Sequence, residues 1–153
     1  MNSTTSSFVQ LLGRAQVRRD AVQIDFQPDK RFQLLAYLAH HGDWVSREQL
    51  AYLFWADGAP DDARNNLRQL LARVRALDCA PDLEAERHRV RWLAQTDVAG
   101  FLRAINDKHW QAALELYGGS LLAGLEAEDT GEFAAWLELE RQNLHSLWAE
   151  AIN

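Results

Sequence analysis

The apolar residues of this chain change their spacing twice between residues 8 and 93, and this order limits the fold more than any other feature. Short apolar runs come first, and one of them alternates apolar with polar residues, as a half-buried strand does. From about residue 30 the apolar positions recur every three or four residues, which is typical of helices with one buried side. Over 83–93 apolar residues again alternate with polar ones. The sequence therefore predicts an α+β fold in which strands precede a group of helices and a hairpin follows them.

Two short antiparallel strands are expected at the start of the chain, over 8–13 and 22–26. Both contain β-branched or aromatic residues, which suit a pleated, half-buried surface. Arg18, Arg19 and Asp20 lie between the two runs, and we interpret them as a polar turn.

Two helices are predicted next. The first covers about 30–41 and ends at Gly42, because glycine readily adopts the left-handed backbone that closes a helix. Ser46 and Gln49 have the spacing of a capping box, in which each side chain bonds the backbone amide of the other residue. The second helix is therefore expected to start at this box and to run to about residue 55.

The third helix is expected over 61–77, after a turn at 56–60. One side of it is apolar and the other presents polar and basic residues. Arg pairs well with guanine, and Asn and Gln pair with adenine, so this outward face favours contact with DNA bases. The alternative is an ordinary amphipathic helix whose arginines are only solvated. The outward residues are Asn65, Arg68, Gln69, Ala72 and Arg73, with Arg64 and Arg75 on one flank.

A two-stranded hairpin is expected from 83–86 and 89–93, with Arg87 and His88 at its turn. The tip, Arg87-His88-Arg89 with Arg91, would meet DNA phosphates or a minor groove, as the wing of a winged helix-turn-helix does. Arg87 is the best candidate for this contact because it lies at the turn. The alternative is cross-strand pairing of two arginines with two acids, namely Arg89 and Arg91 with Glu84 and Glu86.

Beyond the hairpin the pattern is helical throughout, at about 97–105, 108–117 and 132–152. Three helices closed by a hairpin describe a winged helix-turn-helix, so the fold class predicted is α+β, with an α-helical segment after the wing.

Charge is divided unevenly along the chain. Residues 1–93 carry 13 basic and 12 acidic side chains, a net of +1, whereas residues 94–153 carry 3 and 10, a net of −7, and together these give the total of −6. The contrast indicates two parts with different partners. Nearly all of the basic residues are arginine, which suits phosphate and guanine, although a genome that favours arginine would give the same bias.

Several other classes of protein are disfavoured. No apolar run approaches the roughly 20 residues of a membrane-spanning helix, and no export signal is visible, so a cytoplasmic protein is expected. Cys79 is the single cysteine, and the histidines lack zinc-ligand spacing. Neither a phosphate-binding glycine loop nor a nucleophile motif is present, so we expect no enzyme activity, no cofactor and no metal.

Two strings resemble the antibiotic-regulatory-protein (SARP) type of bacterial transcriptional activator. They are Ala63-Arg-Asn-Asn-Leu-Arg68 and Tyr117-Gly-Gly-Ser-Leu-Leu-Ala-Gly-Leu125. Such activators join an OmpR-type winged helix to a bacterial transcriptional activation domain (BTAD) of tetratricopeptide-like (TPR-like) helices. The resemblance implies binding to double-stranded promoter DNA, often at repeated sites, and recruitment of RNA polymerase. By position it implies DNA reading by Arg64, Asn65, Asn66, Arg68 and Gln69, with backbone contacts from Arg73 and Arg75.

The chain is therefore divided into a flexible, polar tail at 1–7, a winged-helix domain at 8–95 and a helical part at 96–153, which the resemblance identifies as the start of an activation domain. Because that domain continues through further repeats in the family, we expect this chain to be a fragment of a larger regulator. A protein-interaction module, in which the winged helix docks onto a partner protein, is the competing function.

The last predicted helix carries an apolar stripe that later repeats would cover in a complete activation domain. The stripe is therefore expected to be exposed and to support a weak homodimer, unless the helix folds back over its own first repeat. Its residues are Phe133, Trp136, Leu137, Leu144, Leu147 and Trp148.

Overall fold

The computed structural model describes residues 7–125 and 131–153 of the 153-residue chain, so the predicted tail at 1–7 lies outside the described residues except for Ser7. The strands are β1 (Phe8–Gln10), β2 (Gln16–Arg19), β3 (Val22–Asp25), β4 (Val45–Ser46), β5 (Glu84–Ala85), β6 (Arg89–Arg91) and β7 (Gln95–Thr96). The helices are α1 (Lys30–His41), α2 (Arg47–Trp55), α3 (Pro60–Arg75), α4 (Asp97–Asn106), α5 (Trp110–Leu116) and α6 (Glu132–Ala151). This is a winged helix-turn-helix followed by a helical segment, as the sequence predicts.

The N-terminal sheet has the strand order β3-β2-β1-β7. β1 and β2 are antiparallel, with Val9 opposite Val17, and both valines are buried. The predicted turn at Arg18 and Arg19 is wrong, because both arginines belong to β2 and the chain turns at Asp20, whose φ is 55°. β2 has only four residues, and Val17 is the one that is buried. With a single apolar residue the strand shows no clear alternation, so its arginines resemble a polar turn in the sequence.

The first of the three helices, α1, has the predicted bounds. It ends at Gly42, whose φ is 77°. Half of the predicted capping box is present, because Ser46 Oγ accepts a hydrogen bond of 3.0 Å from the backbone amide of Gln49. The Gln49 side chain does not return to Ser46 and instead donates to Tyr37 Oη on α1 at 2.8 Å. α3 starts at Pro60, one residue before the predicted position 61, because proline fits the first turn, where its missing amide hydrogen is not needed.

The wing is the predicted hairpin with one additional strand. β5 and β6 are antiparallel, and β4 pairs with the other side of β6, so that Val45 lies opposite Val90. Trp92 follows β6, is fully buried, and donates from Nε1 to Asp82 Oδ1 at 2.9 Å. Because β4 leads directly into α2, the wing and the helix-turn-helix are joined by backbone hydrogen bonds.

Asp97, the first residue of α4, connects the helical segment to the N-terminal sheet. Its carboxylate accepts hydrogen bonds from the amides of Leu11 and Leu12, at 2.7 and 3.0 Å. The side chain is buried, and this burial raises the pKa of Asp97 above its ordinary value. The hydrogen bonds from the two amides lower the pKa and offset only part of that rise.

The apolar stripe of α6 is covered within the chain, so the prediction that it is exposed is wrong. Its rings pack on the winged helix and on the residue that follows α5: Phe133 on Phe54, Trp136 on Tyr37, and Trp148 on Tyr117, with centroid separations of 5.5, 4.7 and 5.5 Å. α1 and α2 supply the cover that was expected from later repeats. The homodimer predicted through this stripe therefore loses its basis.

Replacing Asp97 with Ala is expected to lower the free energy of unfolding by about 2–4 kcal/mol, because two buried backbone amides lose their acceptor. Urea unfolding followed by circular dichroism measures this change. Asp107→Ala, which removes an exposed carboxylate at the end of the same helix, is the matched control and should cost less than about 0.5 kcal/mol. Equal effects of the two substitutions would show that the Asp97 hydrogen bonds do not stabilise the junction.

Within the described residues, no helix combines the length and the apolar composition needed to cross a membrane.

Candidate nucleic-acid interface

The outward face of α3 has the composition predicted for it. Asn65, Arg68, Gln69, Arg73 and Arg75 are all exposed. The opposite side is buried against the rest of the winged helix through Ala63, Leu67, Leu70, Leu71 and Val74. The helix is therefore held by its apolar side and presents its polar side to solvent.

Asn66 differs from its neighbours on α3. It is half-buried and lines a cavity of about 850 Å³ together with Trp55 and Asp62, on a different side of the helix from Asn65. The structure therefore separates Asn66 from the other residues that the sequence assigned to DNA reading.

A groove of about 590 Å³ lies between the N-terminal half of α3, the start of α2 and the tip of the wing. Three elements bring arginines to it: α2 contributes Arg47, α3 contributes Arg64 and Arg68, and the wing contributes Arg87. We call this the arginine groove. It also contains Asn65 and His88, and two carboxylates, Glu48 and Asp61.

The polar side chains of α3 interact with one another along the groove. Arg64 forms an ion pair with Asp61, one turn earlier, and Arg68 Nη2 donates to Asn65 Oδ1 at 2.5 Å. Arg73 and Arg75 form no ion pair with any residue in 7–125 or 131–153. The α3 face thus has two side-chain pairs in its first half and two unpaired cations in its second half.

On the wing, two of the arginines pair with glutamates of the hairpin, as the alternative interpretation expected. Arg89 Nε donates to Glu86 Oε1 and Arg91 Nε to Glu84 Oε2, each at 2.8 Å, and the hydrogen bond to Glu84 raises the pKa of Arg91. Both guanidinium groups also lie over the ring of Trp44, at 4.0 and 4.3 Å from its centroid. Arg87 at the tip is exposed and, among the described residues, has no ion-pair partner.

Arg47 is a groove residue that the sequence analysis missed. Its amide donates to the His88 carbonyl at 2.9 Å, and its Nε donates to the Glu86 carbonyl at 2.8 Å. Burial lowers the pKa of Arg47, and the positive charge of Arg75 lowers it further. The sequence carried no local signal for this placement, because the contact with Glu86 joins residues 39 apart in the chain.

In the part of the chain that the structure describes, no three His, Cys, Asp or Glu side chains are placed to hold a metal ion. The arginine groove offers guanidinium groups and the side-chain amide of Asn65, which suit phosphates and base edges.

No family model matches the sequence, and no curated protein matches it. Among solved structures, the chain is similar to Mycobacterium tuberculosis EmbR, determined in complex with a low-affinity phosphopeptide, with a TM-score of 0.61 and 21% sequence identity. The match covers 96% of this chain and 45% of that chain, so this chain spans less than half the length of EmbR. At this level of identity the likeness shows a shared fold.

Proposed function

We propose that this chain is a sequence-specific DNA-binding transcriptional regulator of the SARP type. Residues 8–95 bind double-stranded promoter DNA, and residues 96–153 form part of an activation domain. The proposal includes no enzymatic step and no cofactor.

The observation that carries the proposal is the arginine groove. Arg47, Arg64, Arg68 and Arg87 come from α2, α3 and the wing, and they meet around one groove although residues 1–93 have a net charge of only +1. Concentrating cations at one surface is what binding to a polyanion requires, since each phosphate contact releases condensed counterions.

In this proposal α3 lies in the major groove. Its 16 residues span about 24 Å at 1.5 Å per residue, which is long enough to follow the groove. Arg64, Asn65, Arg68 and Gln69 then face base edges, whereas Arg73 and Arg75 face the backbone. Asn66 has no assigned contact because it is half-buried on another side of the helix.

The wing contacts the backbone or the minor groove through Arg87. Arg89 was expected to share this role, but its guanidinium is shared between Glu86 and the Trp44 ring. Its contact with DNA therefore requires exchange of the Glu86 bond for a phosphate. Arg87 has no such bond to give up among the described residues, which makes it the stronger candidate.

Activation and recruitment of RNA polymerase are parts of the proposal that rest on the resemblance to SARP-type activators, and a cytoplasmic location is proposed with them. The test of the central claim is a gel shift with the upstream region of the protein's own gene, at two salt concentrations. A retarded complex at low salt that weakens at high salt is expected. The absence of any complex at either concentration would reject DNA binding.

Replacing Asn65 or Arg68 with Ala is expected to weaken binding to the cognate site by about 1–3 kcal/mol and to leave binding to random duplex nearly unchanged. Both side chains are exposed at the middle of the helix face that meets base edges in the proposal. Fluorescence anisotropy with both duplexes measures the difference. Equal losses on the two duplexes would reassign Asn65 and Arg68 to backbone contacts.

A second candidate function is a protein-interaction module. It is favoured by Tyr52 on α2 and Leu139 on α6, which are 58% and 57% exposed and border the same groove as Trp136. Exposed apolar groups that lie together are typical of protein contacts. This function predicts that no DNA complex forms in the gel shift. It also predicts that substitutions at Tyr52 and Leu139 weaken binding to the partner protein, whereas substitutions in the arginine groove do not.

A further inference from the structure

Asp61 is a carboxylate placed inside a groove that otherwise collects cations. It lies in the first turn of α3, its side chain is 88% exposed, and it forms an ion pair with Arg64, which is 59% exposed. Asp62, the next residue, lines the other cavity, beside Asn66 and Trp55. Two adjacent carboxylates therefore face different surroundings, and only Asp61 faces the arginine groove.

A carboxylate at a DNA interface is repelled by the phosphates on every sequence. It accepts hydrogen bonds and donates none, so a base edge compensates it only where an amino group points into the major groove. The N4 amino group of cytosine is the usual partner of Asp and Glu there. Asp61 is thus unfavourable on most sequences and favourable on sequences that offer this donor.

We propose that Asp61 and Arg64 together select a cytosine beside a guanine, with Asp61 accepting from cytosine N4 and Arg64 donating to guanine O6 and N7. The inference rests on the proposed DNA-binding function and deepens it. Residues three apart on a helix are separated by about 4.5 Å along its axis, which is close to the roughly 3.4 Å rise of one base pair. The two side chains therefore reach neighbouring base pairs when α3 follows the groove.

The ion pair also explains how the two residues act before a site is found. On random duplex Arg64 stays with Asp61, and the carboxylate keeps phosphates away from that part of the groove. On the matched step the cytosine amino group replaces Arg64 as the partner of Asp61, and Arg64 becomes available to guanine. Asp61 lowers non-specific affinity and so increases the difference between cognate and random DNA.

The test is selection of bound duplexes from a randomised library by the wild type, Asp61→Asn and Asp62→Asn. Both variants remove one exposed negative charge from the first turn of α3, so they are matched in net charge and in their effect on the helix dipole. We expect the wild type and Asp62→Asn to select the same cytosine–guanine step. Asp61→Asn should lose preference for that cytosine by about 5- to 100-fold. It should also bind random duplex roughly two- to fivefold more tightly than the wild type.

Three outcomes would overturn the inference. Asp61→Asn could select the same cytosine as the wild type, or Asp62→Asn could change the selected sequence equally. Alternatively, Glu48→Gln, which alters the other carboxylate in the groove, could weaken the cytosine preference as much as Asp61→Asn does. In each case DNA binding itself remains. Failure of the proposed function gives a different result, because the wild type would then recover no duplexes from the library.

Discussion

The affinity of this protein for duplex DNA is expected to fall by roughly 150- to 500-fold when the salt concentration is raised about fourfold, from 50 to 200 mM. The estimate assumes four or five phosphate contacts, each contributing a slope of about −0.9 to log affinity against log salt. The proposal assigns Arg73, Arg75 and Arg87 to phosphates. Arg47, which lines the arginine groove, is the fourth contact, and Arg89 is the fifth once it gives up its bond to Glu86. Fluorescence anisotropy of a labelled duplex over a series of salt concentrations gives the slope directly.

Arg75→Ala tests whether a single arginine contributes as assumed. Arg75 is exposed and has no ion-pair partner among the described residues, so its removal should reduce the steepness of the slope by about 0.9. Cognate and random duplexes should lose affinity alike, because a phosphate contact carries no sequence information. Arg103→Ala removes the same charge from the exposed side of α4 and should leave the slope unchanged. A wild-type affinity that does not vary with salt would mean that the arginine groove is not a DNA surface.

Replacing Trp92 with Ala is expected to lower the free energy of unfolding by about 3–5 kcal/mol, the range typical of large aromatic residues removed from a core. Trp92 is 0% exposed and lies directly after β6, and its indole nitrogen donates to Asp82. The substitution removes the packing beneath the wing and leaves the Asp82 carboxylate without this donor. Urea unfolding monitored by circular dichroism measures the loss.

Two further variants separate the contributions at this position. Trp92→Phe retains an aromatic ring but loses the bond to Asp82, so it should cost less than Trp92→Ala. Trp110→Ala removes a tryptophan that is 42% exposed on α5, and its effect should be clearly smaller than that of Trp92→Ala. If Trp92→Ala unfolded at the same urea concentration as Trp110→Ala, the wing would not depend on the Trp92 core.

The local features of the winged helix could be predicted from the sequence because each depends on residues close together in the chain. Gly42 ends α1 through its own backbone freedom, and Ser46 caps α2 through an amide three residues away. The apolar period of α3 fixed which side is buried, and therefore placed Asn65 and Arg68 on the outward face. For the wing, alternation indicated that Val90 is buried, but it left open whether the arginines are paired.

Tertiary structure decided the features that join distant parts of the chain. Gln49 bonds Tyr37 rather than its own helix start, Arg47 bonds the wing carbonyl of Glu86, and Asp97 accepts from Leu11, 86 residues earlier. The stripe on α6 is buried or half-buried for the same reason, since Phe54 and Tyr37 of the winged helix pack on it. A sequence pattern shows that a side chain is apolar or can accept a hydrogen bond, and periodicity shows which side of its element it occupies. Which partner it meets depends on how the elements pack, because long-range contacts are fixed by the whole chain and not by neighbouring residues.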